Sequence, residues 1–405
     1  MDGAKRRDAT TAAPASVRRA QSDPEHYPFI DALRGCAVLA VIAIHVGGRS
    51  SPPGWLGRIS ANGNYGVQLF FVLSAFTLLS SMHARRGRDR RPTAAFFVRR
   101  LFRIAPLFWL AAAFYTGFHG LGATPENPAV GTPQILATLV FLHGWHPTSI
   151  NSVVPGGWSI AVEMNFYLLL PLCFLWIDSL KRAVVSFLIV APLSCAVSVL
   201  AKRWLTGADP TQAVSIGLFT YYWFPRQAPV FLLGFILFFL VKRARAARAD
   251  TADGGIGGAK LAGRPLLALA SLGLVALSLL ADRIPVAYLV FSVAWMAFAL
   301  GLSRYPTKAI VNPLLRYCGK VSYSAYLTHF FVLDKLSGPL MRGLDGLGLP
   351  PHSPLRFASL YLAAVAGTLL LSTVTYHLIE SPGQQLGRYL IGRLDAGPAP
   401  ALQAS

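Results

Sequence analysis

The sequence predicts an all-α polytopic membrane protein, with about ten transmembrane helices and a short outer re-entrant or interfacial helix. Three observations predict it. The 405 residues are 54% hydrophobic and only 13% charged. Apolar runs of membrane-crossing length recur along almost the whole chain. The lysines and arginines fall in short blocks between those runs, where a positive cytoplasmic face would put them. A net charge of +20 would suggest nucleic acid in a soluble protein. Here no zinc-finger spacing and no basic helix free of the membrane is present, so no nucleic-acid partner is expected. The bilayer itself is the first partner.

Residues 1–28 are polar, basic and rich in Ala, Pro, Ser and Asp, the composition of a disordered cytoplasmic tail. The run after them lacks a small-residue cleavage site and reads as a retained first helix rather than a signal peptide. Spans are expected at 30–48, 64–82, 102–118, 160–178, 183–200, 227–241, 264–281, 284–301, 318–336 and 356–377. With the N-terminus inside, the basic blocks at Lys5–Arg7, Arg85–Arg91, Lys181–Arg182, Lys242–Arg245 and Arg304–Arg316 all fall on the inner side. Both termini are then cytoplasmic, and 391–405 is a short inner tail. Residues 134–146 are apolar but too short to cross, and counting them as a span would reverse every later block. The cysteines, Cys36, Cys173, Cys195 and Cys318, lie in or beside apolar runs without CxxC spacing. They read as small buried thiols, and no metal site is expected.

The first span carries Asp31, Arg34 and His45. At 100° per residue, Arg34 and His45 differ by about 20° and Asp31 and His45 by about 40°, so all three share a face. His45 is about 16 Å further along the helix than Arg34. Ionisable groups are costly in hydrocarbon, so this face must look into protein. A structural Asp–Arg pair with a packing histidine is the plainer alternative.

The second span places Gln68 and Ser74 among aromatics. Before the third, Arg99, Arg100 and Arg103 fall within about one turn, running into the membrane ahead of Pro106. Two or three guanidiniums there make a phosphate-binding patch, whereas Arg85–Arg91 read as headgroup anchors. The fourth span contains Trp158, Ser159, Glu163, Asn165 and Tyr167. Ser159 and Glu163 share a face, Glu163 is placed to orient a histidine or bind an acceptor hydroxyl, and Trp158 and Tyr167 suit either sugar stacking or packing. The ninth span carries Tyr326 and His329 at i,i+3, and the tenth ends at Glu380, within reach of a loop arginine.

An embedded histidine, an embedded glutamate and an inner arginine patch fit a phosphate-bearing donor docking from the cytoplasm. A neutral imidazole there could take a proton from an acceptor hydroxyl or carry the transferred group itself. The other reading is a proton-coupled transporter using the intramembrane His and Glu groups as a relay.

The motifs, in order, are Phe29-Ile-Asp31-Ala-Leu-Arg34-Gly with His45 at R-x10-H spacing, Gly66-Val-Gln-Leu-Phe-Phe-Val-Leu-Ser74, and Arg100-x-x-Arg103-Ile-x-Pro106. Trp158-Ser-Ile-Ala-Val-Glu163-x-x-Phe-Tyr167 and Tyr323-Ser-x-Tyr-Leu-x-His329 complete the series. Their joint order resembles the membrane acyltransferase-3 family of integral-membrane O-acyltransferases, over about residues 27–390. The resemblance implies an acyltransferase domain at 29–390. It also implies acetyl-CoA or another acyl-CoA as cytoplasmic donor, no metal, and O-acetylation of a glycan or lipid-linked saccharide, as in polysaccharide modification. Glycan-assembly proteins are possible partners, and the bacterial inner membrane is the expected location.

By that resemblance His45, Arg34, Asp31 and Glu163 are catalytic, and Arg100 and Arg103 hold the donor. Ser74, Trp158, Ser159, Tyr167, Tyr326 and His329 bind the acceptor or support the site. Ala75 stands where the family commonly has glycine, which touches packing more than chemistry, and Glu380-Ser-Pro382 departs from the usual Glu-Arg/Lys-Pro. The hydrolase-like domain fused to some members is not seen, so the acceptor is expected to be handled by the membrane domain alone or with a partner.

Overall fold

A computed structural model describes residues 27–87, 89–119, 130–249 and 256–396. The expected tail at 1–28 therefore lies outside the described residues except for Tyr27 and Pro28, as do 397–405 of the second tail. Among the described residues every regular element is helical.

Helix α1 is Pro28–Ser50, with proline in its first turn, where its missing N–H costs nothing, and Asp31 beside the positive end of the helix dipole. A short helix α2 (Gly54–Ala61) and a 3-10 turn lead into α3 (Gly66–Ala84). Helix α4 is Pro92–His119, and α5 is Thr132–Leu139. Eight residues rise only about 12 Å, too little to cross a bilayer. Phe141, in the left-handed region at φ 61°, ends that segment, and the Trp109 indole of α4 donates to the Leu139 carbonyl at 2.9 Å.

Helices α6 (Trp158–Trp176), α7 (Leu180–Ala208), α8 (Ala213–Tyr222) and α9 (Phe224–Ala249) follow. Helices α10 (Ile256–Leu280), α11 (Ala287–Arg304), α12 (Pro313–Lys320), α13 (Ser322–Gly346), α14 (Pro354–Thr375) and α15 (Ser381–Ala396) complete the chain. A single π turn, Tyr376–Glu380, joins α14 to α15.

Among the described residues, eight helical segments are long and apolar enough to cross a membrane. Helices α4 and α13 are not among them, although they have 28 and 25 residues. Arg99, Arg100 and Arg103 lie in the first, and His329, Asp334 and Lys335 in the second.

One expected span is broken and another is longer than expected. The ninth does not begin at 318, because Val321 separates α12 from α13. The sixth lies whole within the 26 residues of α9, which α8 precedes across a break at Trp223.

Burial sorts the helices. The most apolar stretches of α7 and α10 are only 17% and 11% buried by protein, so their faces are left for lipid. Helices α1, α3 and α9 lie at the centre, with Leu33, Leu69, Leu73, Phe76 and Phe235 fully covered.

Helix α1 packs against α12, α3, α13 and α14. Its approach to α12 depends on two glycines. A Cβ on Gly35 would run into the Leu315 carbonyl, and one on Gly319 into the Asp31 carbonyl. Each glycine lets one backbone reach the other, as small residues do between membrane helices. Helix α12 is started by Asn312, whose side chain accepts from the Leu315 N–H, with Pro313 in the first turn. It is thereby held along the end of α1 that carries Asp31 and Arg34.

Candidate active site

Five helices bring the polar motifs to one cavity of about 70 Å³. Helix α1 supplies Arg34, α3 supplies Ser74, and α4 supplies Arg100 and Arg103. From α6 come Ser159, Glu163 and Tyr167. Those three stand at i, i+4 and i+8, so one stripe of α6 faces inward. Helix α13 adds Tyr323 and Tyr326. The volume holds on the order of five waters, enough for the reactive end of a substrate but not for a nucleotide.

Glu163 is the cavity's carboxylate. One of its oxygens accepts from the Ser74 hydroxyl at 2.5 Å and from the Tyr167 hydroxyl at 2.6 Å. Its direct partners are therefore hydroxyls, not the histidine that the sequence allowed. Against this carboxylate stand three guanidiniums. Arg34 donates to the Thr77 hydroxyl at 3.3 Å. The Nε atoms of Arg34 and Arg100 are shielded from solvent without a hydrogen-bond partner. A buried donor left unpaired is costly, more so on a cation. The cavity is thus built to receive a group with acceptor oxygens or negative charge.

Arg34 and Arg103 also line a second, larger cavity of about 540 Å³, together with Asp31, Arg316, Lys320 and Glu380. The two arginines form a shared wall between the spaces. Glu380 is buried and accepts from the Ser324 hydroxyl at 2.8 Å and from the Gln384 amide at 3.2 Å. The cationic residue beside it in the cavity lining is Arg103, from a helix rather than a loop.

The histidines sit apart. His45 lines neither cavity. Its ring lies 5.2 Å from that of His329 and 4.4 Å from Phe330, centroid to centroid. Its carbonyl accepts from Arg49 at 3.5 Å, and Arg49 pairs with Asp334 of α13 at 2.5 Å. The end of α1 is tied there to the middle of α13.

His329 is fully buried, with Nδ1 on the Ala325 carbonyl at 3.3 Å and Nε2 unpartnered. Since a carbonyl only accepts, Nδ1 carries the proton and Nε2 presents a lone pair. Tyr326 links the two regions. It lines the first cavity, its hydroxyl accepts from Ser159 at 2.9 Å and donates to the Gly156 carbonyl at 3.0 Å, and its ring is 5.7 Å from His329.

These positions also place three of the candidate residues more closely. Arg99 pairs with Asp89 at 2.6 Å and does not line the cavity that Arg100 and Arg103 share. Trp158 is 5% exposed and stacks on Tyr222 at 4.4 Å, so it is a packing aromatic and offers no face to a sugar. Asp31 shares the second cavity with Arg34 but not the first.

Sequence reading passed over Tyr323, whose hydroxyl donates to the Ile104 carbonyl at 2.6 Å two residues before Pro106. It also passed over a site role for Glu380, for which a buried acid in an apolar run was the available signal. Arg316 and Lys320 gave no signal beyond positive-inside charge.

Residues 27–377 match the family profile described as Acyltransferase domain. The chain is 23% identical over 392 residues to O-acetyltransferase OatA of Staphylococcus aureus strain NCTC 8325, with 90% of this chain and 58% of the relative covered. OatA of strain COL gives the same figures. The chain thus spans under three fifths of the length of these curated relatives. No solved structure matches.

Proposed function

This chain belongs to the acyltransferase family whose domain covers residues 27–377, and on that premise we propose that it is an integral-membrane O-acyltransferase. It moves an acyl group, acetyl in the first instance, from a cytoplasmic acyl-CoA to a hydroxyl of a cell-surface or lipid-linked glycan. One observation carries this reading. Arg34, Arg100 and Arg103 outnumber Glu163 in one cavity, and two of the guanidiniums have an edge without a partner. Such a site suits an anionic donor whose carbonyl end enters the protein.

In this reading Arg34 and Arg103 hold the donor at the wall between the cavities. Its acyl-bearing arm passes through the smaller one, beside the guanidiniums, and brings the thioester past Tyr326 toward His45. His45 takes the proton of the acceptor hydroxyl, the new C–O bond forms, the C–S bond breaks, and the CoA thiolate leaves toward the cytoplasm and is reprotonated. Tyr326 and His329 join His45 to the cavity. Glu163, held by Ser74 and Tyr167, fixes the arginines by charge. Helices α4 and α13 span with the eight apolar segments, both termini lie inside, and α5 rests at the outer interface.

The test uses the purified chain in nanodiscs with acetyl-CoA labelled in the acetyl group and glycan fractions from the parent cell. Alkali-labile label on glycan is expected, falling at least 100-fold in His45→Ala. Full transfer by that variant would remove His45 from the chemistry. Proton or solute movement without any acyl transfer would overturn the proposal in favour of a transporter. Mass spectrometry of surface glycans from cells with and without the gene identifies the acceptor.

A further inference from the structure

The second cavity has no assigned role, and the geometry points to it as the seat of the donor's nucleotide, with Arg316 and Lys320 as its phosphate anchors. This inference rests on the acyl-CoA reading above and assigns it residues that no motif in the sequence marks.

The argument starts from size and charge. The inner cavity, about 70 Å³, cannot admit a nucleotide, whereas the outer one, about 540 Å³, shares Arg34 and Arg103 with it. A ligand with a bulky phosphorylated head and a narrow acyl-bearing arm would place its two ends in the two spaces, with the arm passing the arginine pair. The outer lining carries four cations, Arg34, Arg103, Arg316 and Lys320, against the carboxylates of Asp31 and Glu380. Both oxygens of Glu380 are already engaged, by Ser324 and Gln384.

Arg316 and Lys320 stand at i,i+4 on α12, about 6 Å apart along the axis, on the exposed side of a helix whose other side is pressed to α1. That spacing lets a guanidinium and an ammonium hold neighbouring phosphates. Lys320 lies over the Tyr376 ring at 5.3 Å. Tyr317, which also lines the cavity, is fixed by a 2.6 Å bond from its hydroxyl to that of Thr373 and offers a ring for the purine to stack on.

The test is binding to the full chain in nanodiscs, with two probes. Acetyl-CoA carries the nucleotide; S-acetylpantetheine keeps the thioester and lacks it. Wild type is expected to bind acetyl-CoA at least ~tenfold more tightly. R316A and K320A should each weaken acetyl-CoA about fivefold or more and leave S-acetylpantetheine unchanged. Equal affinity of wild type for the two probes overturns the inference while leaving the transfer reading intact. Failure of wild type to bind either probe overturns both.

Phosphate also occurs in lipid headgroups, so the variants are compared in discs of phosphatidylcholine alone and with phosphatidylglycerol. The same loss is expected in both. A loss confined to the anionic discs would assign the two cations to lipid and overturn the inference. The wild-type probe comparison needs no variant and decides the question where a substitution prevents folding.

Discussion

Glu163 shows how a single side chain can organise a buried site. A carboxylate inside a membrane protein survives only with donors and countercharge around it. Here the donors are Ser74 and Tyr167, and the countercharge comes from Arg34, Arg100 and Arg103. Glu163→Gln keeps the shape and removes the charge. Hydrogen bonds to charged groups are worth about 1.5–3 kcal/mol, so acyl transfer should fall roughly 10- to 150-fold, and the melting temperature should fall as well because three buried guanidiniums lose their countercharge. Steady-state transfer and a detergent melt together check this. Arg103 makes a different demand. It faces both cavities, and lysine would keep its charge but lose the planar fork. Arg103→Lys is expected to raise the donor KM about tenfold and leave the acceptor KM unchanged; equal effects on both would argue against a donor role. Most of these residues could be read from the chain, since polar groups in apolar runs stand out by their cost. Their partners could not. Nothing in the spacing of Ser74 and Glu163, on α3 and α6, says that one donates to the other.

At the level of elements, the juncture of α1 with α12 decides where the arginines sit. The reciprocal contacts of Gly35 and Gly319 leave no room for a methyl group on either helix. Overpacking such a contact costs typically about 1–3 kcal/mol. Gly319→Ala should therefore lower the melting temperature and weaken the donor affinity together. Gly343→Ala on α13, where a Cβ meets nothing within 4 Å, should do neither. The same comparison explains a misreading. Residues 318–336 look like one span because hydropathy does not register a break. The chain in fact turns at Val321, and the turn places Lys320 at the end of the separate short helix α12 rather than within a long span. The π turn at Tyr376–Glu380 has a similar effect. Without a rigid continuation of α14 it aims Glu380 inward, and α15 then lies against α4 through Gly383 and Gly387, over Phe102 and Pro106.

For the whole molecule, the arrangement separates Arg34 from His45 by about 16 Å along α1. The proposed transfer needs these two positions to face different sides of the membrane. With the four native cysteines replaced, single cysteines at His146 and Lys181 test the orientation. A maleimide that cannot cross the membrane should label the first from outside intact cells, and the second only after they are opened. The opposite pattern would invert the topology and with it the side from which the donor enters. The sequence by itself determined the helical class, the basic blocks and the acyltransferase family. Periodicity, hydropathy and ordered motifs are local properties of the chain. It also marked the face of α1 that carries Arg34 and His45. Only the tertiary structure decided that Arg34 lines both cavities while His45 packs beside His329 and Phe330, that Trp158 packs while Tyr326 lines the cavity, and that Arg34 and Arg103 stand between a small chamber and a large one. Those facts depend on which helices touch. In a membrane that is set by close packing of side chains and backbones from distant parts of the chain, and one-dimensional spacing does not encode it.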